Sequence, residues 1–387
     1  MWIEPNRIDQ LTGFRYLAMS YDHFSAQIQK TGFVLENRIA QLLKSEKWTV
    51  ISNKYYVDDA EDTVREIDLV AYKMTKVDNI ELYTTLILSC KKNEQNAWAF
   101  LSRDINLKDP NSNWQPLHAW SNDKALMYQL QRADASSQFH EYAIAAGAGS
   151  VLQTPTVEVF AFQEMDKKTG KPQNDKNIFA AVTSLMKAQA YEMGALPKRK
   201  KTSAVYQFNL VSIVETDLIR LKFDTASAIA SAVDSEHYIA RYIINKRESF
   251  SRIRFMRADT FPNALVDYTT LHEANCRWFK HFRNEFYRDI FQDSKRVNVL
   301  IESFRAALQW PITRAFLYKA KKAPKGDSVS VSWNKAKSMA EITGEFDAEE
   351  LGVLNNDAQA NAAVAKALKT FYKFEGKFHF AEEDIPF

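Results

Sequence analysis

The sequence predicts an α/β protein with a mixed sheet flanked by helices and a helical C-terminal region. Apolar residues recur at helical intervals in Gly32–Trp48. Two runs rich in β-branched and aromatic residues follow, Thr49–Val57 and Leu82–Lys92, as expected for strands. Past Pro262 the patterns are mainly helical, and Tyr268–Phe291 is dense in aromatic and basic residues. These three observations fix the fold class that we expect.

Length and composition limit the classes of protein that need to be considered. The chain has 387 residues, 46% of them hydrophobic, which suffices for two domains or for one elaborated domain with a helical annex. The net charge is only +3, so any surface for nucleic acid must come from local clustering of basic residues. Cys90 and Cys276 are too few for a disulfide framework and have no metal-ligand spacing, which indicates a reducing cytoplasm. We expect neither a signal peptide nor a membrane helix.

The same patterns suggest three segments. Residues 1–260 form the predicted α/β domain, with an insertion near 93–122 where Pro, Trp, Asn and Asp interrupt the strand pattern. Residues 261–375 form the predicted helical region, and 376–387 form an acidic tail.

Charged residues lie within the predicted strands at positions where a buried sheet normally has apolar ones. The strand Thr49–Val57 leads into an acidic turn, and Arg65–Val70 returns from it as a hairpin. Side chains alternate between the two faces of a strand, so Glu66 and Asp68 share one face. Ser89 and Lys91 likewise share a face of the next strand. Two adjacent strands that end in charged residues create a small polar pocket suited to a divalent metal and a phosphate.

This order of residues resembles the PD-(D/E)XK nuclease superfamily. That family has a helix with an inward Glu, a strand with an acidic residue, and a strand ending in Asp/Glu-x-Lys. Glu36 matches the helix position, Asp68 the first acid and Lys91 the lysine. Ser89 departs from the pattern, because the family has a carboxylate there. The resemblance implies a restriction-endonuclease-like fold and Mg²⁺- or Mn²⁺-dependent hydrolysis of phosphodiesters.

The resemblance also implies roles for individual residues. Asp68 is expected to be the central metal ligand, together with the backbone carbonyl of Cys90. Lys91 is expected to orient or deprotonate the attacking water and to steady the scissile phosphate. Glu36 or Glu66 would supply the second carboxylate that Ser89 does not. If neither carboxylate reaches the metal, the fold is expected to bind its ligand without catalysing hydrolysis. The alternative interpretation of Glu36 is a solvated residue at the margin of an apolar stripe.

Two basic stretches are candidates for binding DNA. Lys198, Arg199, Lys200 and Lys201 form a predicted surface loop, although such runs are often merely solvated. Arg252 and Arg254 alternate with apolar residues, which predicts that both lie on the solvent face of a strand.

The chain ends in Asp384, Ile385, Pro386 and Phe387 after a run of acids. The last six residues resemble the C-terminal tip of bacterial single-stranded-DNA-binding proteins. This implies capture by proteins that dock such tails, with Phe387 in an apolar pocket and the acids adding attraction. A C-terminus packed against the protein itself is the alternative.

Taken together, the sequence predicts a Mg²⁺-dependent DNA endonuclease, cytoplasmic, in restriction, phage defence or DNA repair. The alternative is a catalytically silent nucleic-acid-binding or adaptor protein that recruits replication or repair partners through its tail. A nuclease that acts on RNA is a third hypothesis. No membrane partner is expected, and the patterns do not choose between a monomer and an oligomer.

Overall fold

The computed structural model describes residues 22–58, 62–224, 227–320 and 329–382. The strands in these ranges are β1 Thr49–Val57, β2 Val64–Val77, β3 Ile80–Lys92, β4 Asn96–Asp104, β5 Ala119–Ser121, β6 Val157–Asp166, β7 Ala204–Glu215, β8 Leu218–Phe223, β9 Ala228–Val233, β10 Ser235–Ile244, β11 Arg247–Arg257, β12 Ser330–Asn334, β13 Met339–Gly344 and β14 Phe378–Glu382. The helices are α1 Asp22–Ile28, α2 Gly32–Ser45, α3 Lys124–Leu130, α4 Ala135–Ala143, α5 Gly149–Leu152, α6 Lys176–Arg199, α7 Phe261–Tyr287, α8 Ser294–Ala315, α9 Ala348–Asn356 and α10 Ala358–Ala367. The predicted α/β class is confirmed.

A seven-stranded mixed sheet organises the first part of the chain, in the order β1-β2-β3-β7-β11-β10, with β5 paired to one part of β7. β1, β2 and β3 are antiparallel, whereas β3, β7 and β11 run parallel. β3 is buried along most of its length because helices cover both faces of the sheet, which explains its continuous apolar run. The carboxyl ends of β3, β7 and β11 therefore meet at one edge.

The two faces of the sheet have separate cores. Leu86 and Leu88 of β3 pack with α2, α7 and the α3–α5 segment. Ile87 faces the other way and packs with the apolar stripe of α6, including Leu185. A second sheet, in the order β6-β4-β8-β9, contributes Trp98 and Phe100 to that α6 core.

The predicted insertion at 93–122 is only partly a loop, since β4 and β5 lie within it. β4 pairs with β6 and with β8, and its middle residues are buried. The turn signals predicted a long loop or insertion here, and they did not reveal these strands, because the partners of β4 are distant in sequence.

The C-terminal region also differs from the expectation of a purely helical annex. α7 packs against the central sheet, so the first structural unit extends past residue 260. α8, α9 and α10 share a third core with the three-stranded sheet β12-β13-β14, centred on residues such as Phe304, Tyr372 and Phe380. β14 occupies much of the predicted tail, because Phe380 fills that core. Among the residues that the structure describes, none of the helices combines the length and apolarity needed to cross a membrane.

Candidate active site

Asp68 and Lys91 meet where β2 and β3 separate. The antiparallel register of the two strands runs as far as Leu69 opposite Leu88. Just beyond that pair, Asp68 Oδ2 accepts a hydrogen bond from the backbone N–H of Cys90 at 2.7 Å. The same oxygen accepts one from Lys91 Nζ at 3.1 Å. The structure thus places the acid and the ammonium group of the sequence prediction in direct contact.

This ion pair is accessible to solvent and does not saturate the carboxylate. The Asp68 and Lys91 side chains are 19% and 35% exposed. Within the described ranges, both hydrogen bonds to Asp68 fall on Oδ2, which leaves Oδ1 without a donor. The Cys90 side chain is buried on the α2 and α7 side, so only its backbone is available at the site. The arrangement leaves carboxylate oxygen available for a cation or a water molecule.

Glu36 approaches the pair from α2. Its neighbours Leu35 and Ile39 belong to the buried stripe of that helix, which turns Glu36 toward the sheet margin. Partial burial raises the pKa of Glu36, the negative charges of Asp68 and Glu66 raise it further, and Lys91 opposes them. The negative charges therefore crowd around one ammonium group. In the described part of the chain, no group of three or more His, Cys, Asp or Glu side chains is arranged to hold a metal ion.

Ser89 occupies the position at which the resembled family carries a carboxylate. It is 3% exposed, and its hydroxyl has no hydrogen-bond partner within the described ranges. Ser212 lies beside it on β7 and also has an unpartnered hydroxyl. A small pocket lies between this part of the sheet and α6, lined in part by Glu66, Asp68 and Ser89. Ser89 is therefore a neutral residue in a pocket that two carboxylates also border.

The predicted basic loop lies far from this site. Lys198 and Arg199 belong to the last turn of α6, which continues through Pro197, so the expectation of a loop was wrong for these two residues. Lys200 contacts Glu81 at the start of β3. Ten strand residues separate Glu81 from Lys91, which corresponds to roughly 33 Å. Lys201 is exposed at the same distant end.

The expectation that Arg252 and Arg254 face solvent was also wrong. Both lie on β11, as the alternating pattern predicted, but Arg254 is only 9% exposed. The side chain of Arg254 packs over the ring of Tyr268 on α7, with its guanidinium carbon 6.0 Å from the ring centroid. Alternation predicts which side chains share a face, but it does not reveal that a helix covers that face.

The predicted tail residues Asp384, Ile385, Pro386 and Phe387 lie outside the described residues.

A second group of residues at the carboxyl edge of the sheet was not predicted. Glu215 ends β7 beside Lys92, and Arg38 of α2 contacts its carboxylate at 3.4 Å. Arg38 and Glu215 border an open pocket that extends to Arg257 at the end of β11 and to Asp259 beyond it. Both Lys92 and Glu215 end apolar strands, which was a usable signal. Their adjacency depends on the parallel pairing of β3 with β7, which the local pattern does not specify.

Lys187 of α6 binds at a different place, away from Asp68. Its ammonium group contacts both oxygens of Asp58, each at 2.8 Å, just after β1. Gln189 of the same helix also binds away from Asp68, because its side-chain oxygen accepts a hydrogen bond from Ser251.

Comparisons of this chain with protein-family models, with curated proteins and with solved structures found no match.

Proposed function

We propose that this chain is a metal-dependent phosphodiesterase of the restriction-endonuclease-like type that cleaves DNA. The observation that carries the proposal is the accessible ion pair between Asp68 and Lys91, with one carboxylate oxygen left without a donor. If the pair served only to stabilise the fold, we would expect both oxygens of its carboxylate to accept hydrogen bonds. DNA as substrate rests on the resemblance of Glu36, Asp68 and Lys91 to the nuclease pattern.

The residues present fit one hard divalent cation. Asp68 offers Oδ1 as a ligand. The negative charges of Glu36 and Glu66 lie near it, and a cation would relieve the repulsion among the three carboxylates. The N–H and C=O of one strand residue point to the same side, so the Cys90 carbonyl faces β2, as its N–H does. Mg²⁺ retains several waters and needs few carboxylates, so the neutral Ser89 does not preclude it. When bound, the cation would supply charge neutralisation at the scissile phosphate.

Lys91 carries the remaining part of the chemistry. Its ammonium group is held by Asp68 at 3.1 Å yet stays one-third exposed, so it can contact both a phosphate oxygen and an attacking water. A positive charge at that place stabilises the negative charge that develops on the phosphate. Asp68 fixes the direction of the ammonium group, because the same carboxylate oxygen is anchored by the Cys90 N–H.

The test is cleavage of supercoiled plasmid, linear DNA and RNA by the purified full chain with Mg²⁺ or Mn²⁺. We expect Asp68→Asn and Lys91→Met each to lower the rate of DNA cleavage by about 10²-fold or more. Matched controls are Asp78→Asn, in the turn between β2 and β3, and Lys76→Met, an exposed residue of β2. Equal rates in the wild type and in both site variants would remove the proposal, and preferential cleavage of RNA would replace its substrate.

Ser89 supports a second candidate, a nucleic-acid-binding protein without cleavage activity. A hydroxyl is a poorer ligand for Mg²⁺ than the carboxylate of the resembled family, and Ser89 is buried without a partner. This candidate predicts salt-dependent DNA binding by wild type and by Lys91→Met alike, with no cleavage under any metal. Deletion of residues 382–387 should then abolish association with proteins that dock single-stranded-DNA-binding tails.

A further inference from the structure

The central sheet has a notch where β7 changes its neighbour. β5 pairs with β7 at Val205 to Gln207, whereas β11 pairs with it only from Leu210 onward. Between these two partners, the N–H of Phe208 donates to the carbonyl of His118 at 2.9 Å. A small pocket lies at this notch, between β7, β11, α5 and α7.

Arg254 brings a buried positive charge to the notch. It is 9% exposed and lines the pocket. Among the residues that the structure describes, its one ion pair is long, with Nη1 3.5 Å from Oδ2 of Asp267. None of these residues forms a hydrogen bond with its Nε. Since a buried guanidinium is costly unless it is fully paired, the single distant carboxylate compensates this charge incompletely.

Arg252 adds a second positive charge two residues earlier on the same face of β11. Its Nη1 and Nη2 donate to the backbone carbonyls of Gln153 and Trp114, at 2.6 and 3.0 Å. Its Nε is also without a partner. No carboxylate of the described chain forms an ion pair with Arg252, and burial lowers its pKa to about 10. Two guanidinium groups therefore share one carboxylate, and the notch has an excess positive charge.

The buried histidines near the notch do not change this balance. Burial lowers the pKa of His118, which lines the pocket. Burial and the charges of Arg252 and Arg254 lower the pKa of His237, opposite Arg254 on β10, to about 3. Both rings are therefore neutral at physiological pH, and the excess charge is that of the two arginines.

We propose that this notch binds a small oxyanion, such as inorganic phosphate or the phosphate of a phosphomonoester, between Arg252 and Arg254. A guanidinium group matches the spacing of phosphate oxygens, and a phosphate would supply the negative charge that the pocket lacks. The neutral amides of Gln207 and Asn209 border the same space. The site is distinct from the proposed active site, because Arg254 faces α7 whereas Ser89 lines a pocket against α6.

Calorimetric titration of the metal-free full chain tests this inference, with chloride keeping the ionic strength constant. The ligands are inorganic phosphate and a nucleoside 5′-monophosphate. We expect saturable binding that Arg254→Gln weakens at least about tenfold. Asp267→Asn should tighten it, because that carboxylate competes for Arg254. Arg247→Gln is the matched control, an exposed arginine on the same strand, and should leave the affinity unchanged.

The outcomes separate the possibilities. Binding should persist in Lys91→Met, which excludes phosphate held at the proposed active site. Tighter binding of the nucleotide assigns a phosphomonoester, and equal or tighter binding of phosphate assigns the free anion. The inference would be overturned by an absence of saturable binding, or by equal affinities of Arg254→Gln and Arg247→Gln. The two arginines would then have a structural role only. If Arg254→Gln does not fold, an unchanged affinity in Asp267→Asn overturns it instead.

Discussion

Two Asp–Lys pairs in this protein have the same chemistry and opposite environments. Lys187 contacts both oxygens of Asp58, and the two side chains are only 11% and 3% exposed. Lys91 contacts one oxygen of Asp68, and both of those side chains are in reach of solvent. A buried pair with a saturated carboxylate can only stabilise or specify a structure. An accessible pair with a carboxylate oxygen left over can exchange partners with a metal, a water or a phosphate.

The difference arises from the position of each pair in the sheet. Asp58 follows β1, where α6 covers it and Arg65 approaches to 3.6 Å as a further cation. Asp68 lies where β2 and β3 separate, so a backbone N–H of the neighbouring strand is free to anchor it. An Asp and a Lys in adjacent elements are thus no indication of function until their exposure is known.

The largest expected effect comes from breaking the buried pair. Lys187→Met leaves Asp58 buried without its closest cation and should lower the free energy of unfolding by about 3 kcal/mol or more. Lys91→Met is the matched control, and because its pair is accessible the loss should stay within about 1 kcal/mol. Urea unfolding followed by tryptophan fluorescence compares them. Equal losses in the two variants would contradict the distinction drawn here.

A smaller effect should follow from restoring a carboxylate at the accessible site. Ser89→Asp adds a hard oxygen ligand beside Asp68, and we expect it to tighten Mn²⁺ binding by about tenfold. Ser212→Asp is the control, since it buries a new charge on the next strand at the same level. Paramagnetic resonance of free Mn²⁺ measures both affinities. If the two variants bind Mn²⁺ equally, Ser89 is not beside the metal position.

The smallest effect concerns the pH dependence that Glu36 contributes. Its pKa is raised above 4.5 in the folded protein, so the folded state holds this proton more tightly than the unfolded chain does. Stability from this group is therefore present at low pH and is lost as the pH rises through the raised value. Glu36→Gln should gain thermal stability relative to wild type from pH 4 to 7, by less than about 1 kcal/mol.

Glu46→Gln, an exposed residue just past the same helix, should show no such trend. Addition of Mg²⁺ should reduce the difference between wild type and Glu36→Gln, because a cation relieves the same crowding of charge. A difference that does not change with pH would contradict the assignment of the effect to Glu36.

Local patterns in the sequence predicted the elements that carry the candidate site. The run Thr49–Val57 is β1 with unchanged bounds, and the helix expected from Gly32 is α2. Period-two alternation placed Glu66 and Asp68 on one face of their strand, and both border the pocket on the α6 side. Each of these features depends on residues close together in the chain.

The features that the sequence did not reveal depend on distant partners. The run Asn96–Asp104 looked like part of an insertion because its partners β6 and β8 come much later. Arg252 and Arg254 were correctly placed on a strand, but no local pattern shows that the predicted helix following them packs over their face. Strand β13 in the C-terminal region was missed for a similar reason, because its parallel partner β14 follows two helices later.

The turn between β2 and β3 has a consequence for how the protein assembles. Asp68 and Lys91 are 23 residues apart, so a single hairpin brings them together. Pairing Ser89 with Ser212 closes a loop of more than a hundred residues, which costs about 1.5 kcal/mol more in chain entropy. During synthesis the acid and the ammonium group can therefore meet before the strand that completes the sheet has left the ribosome.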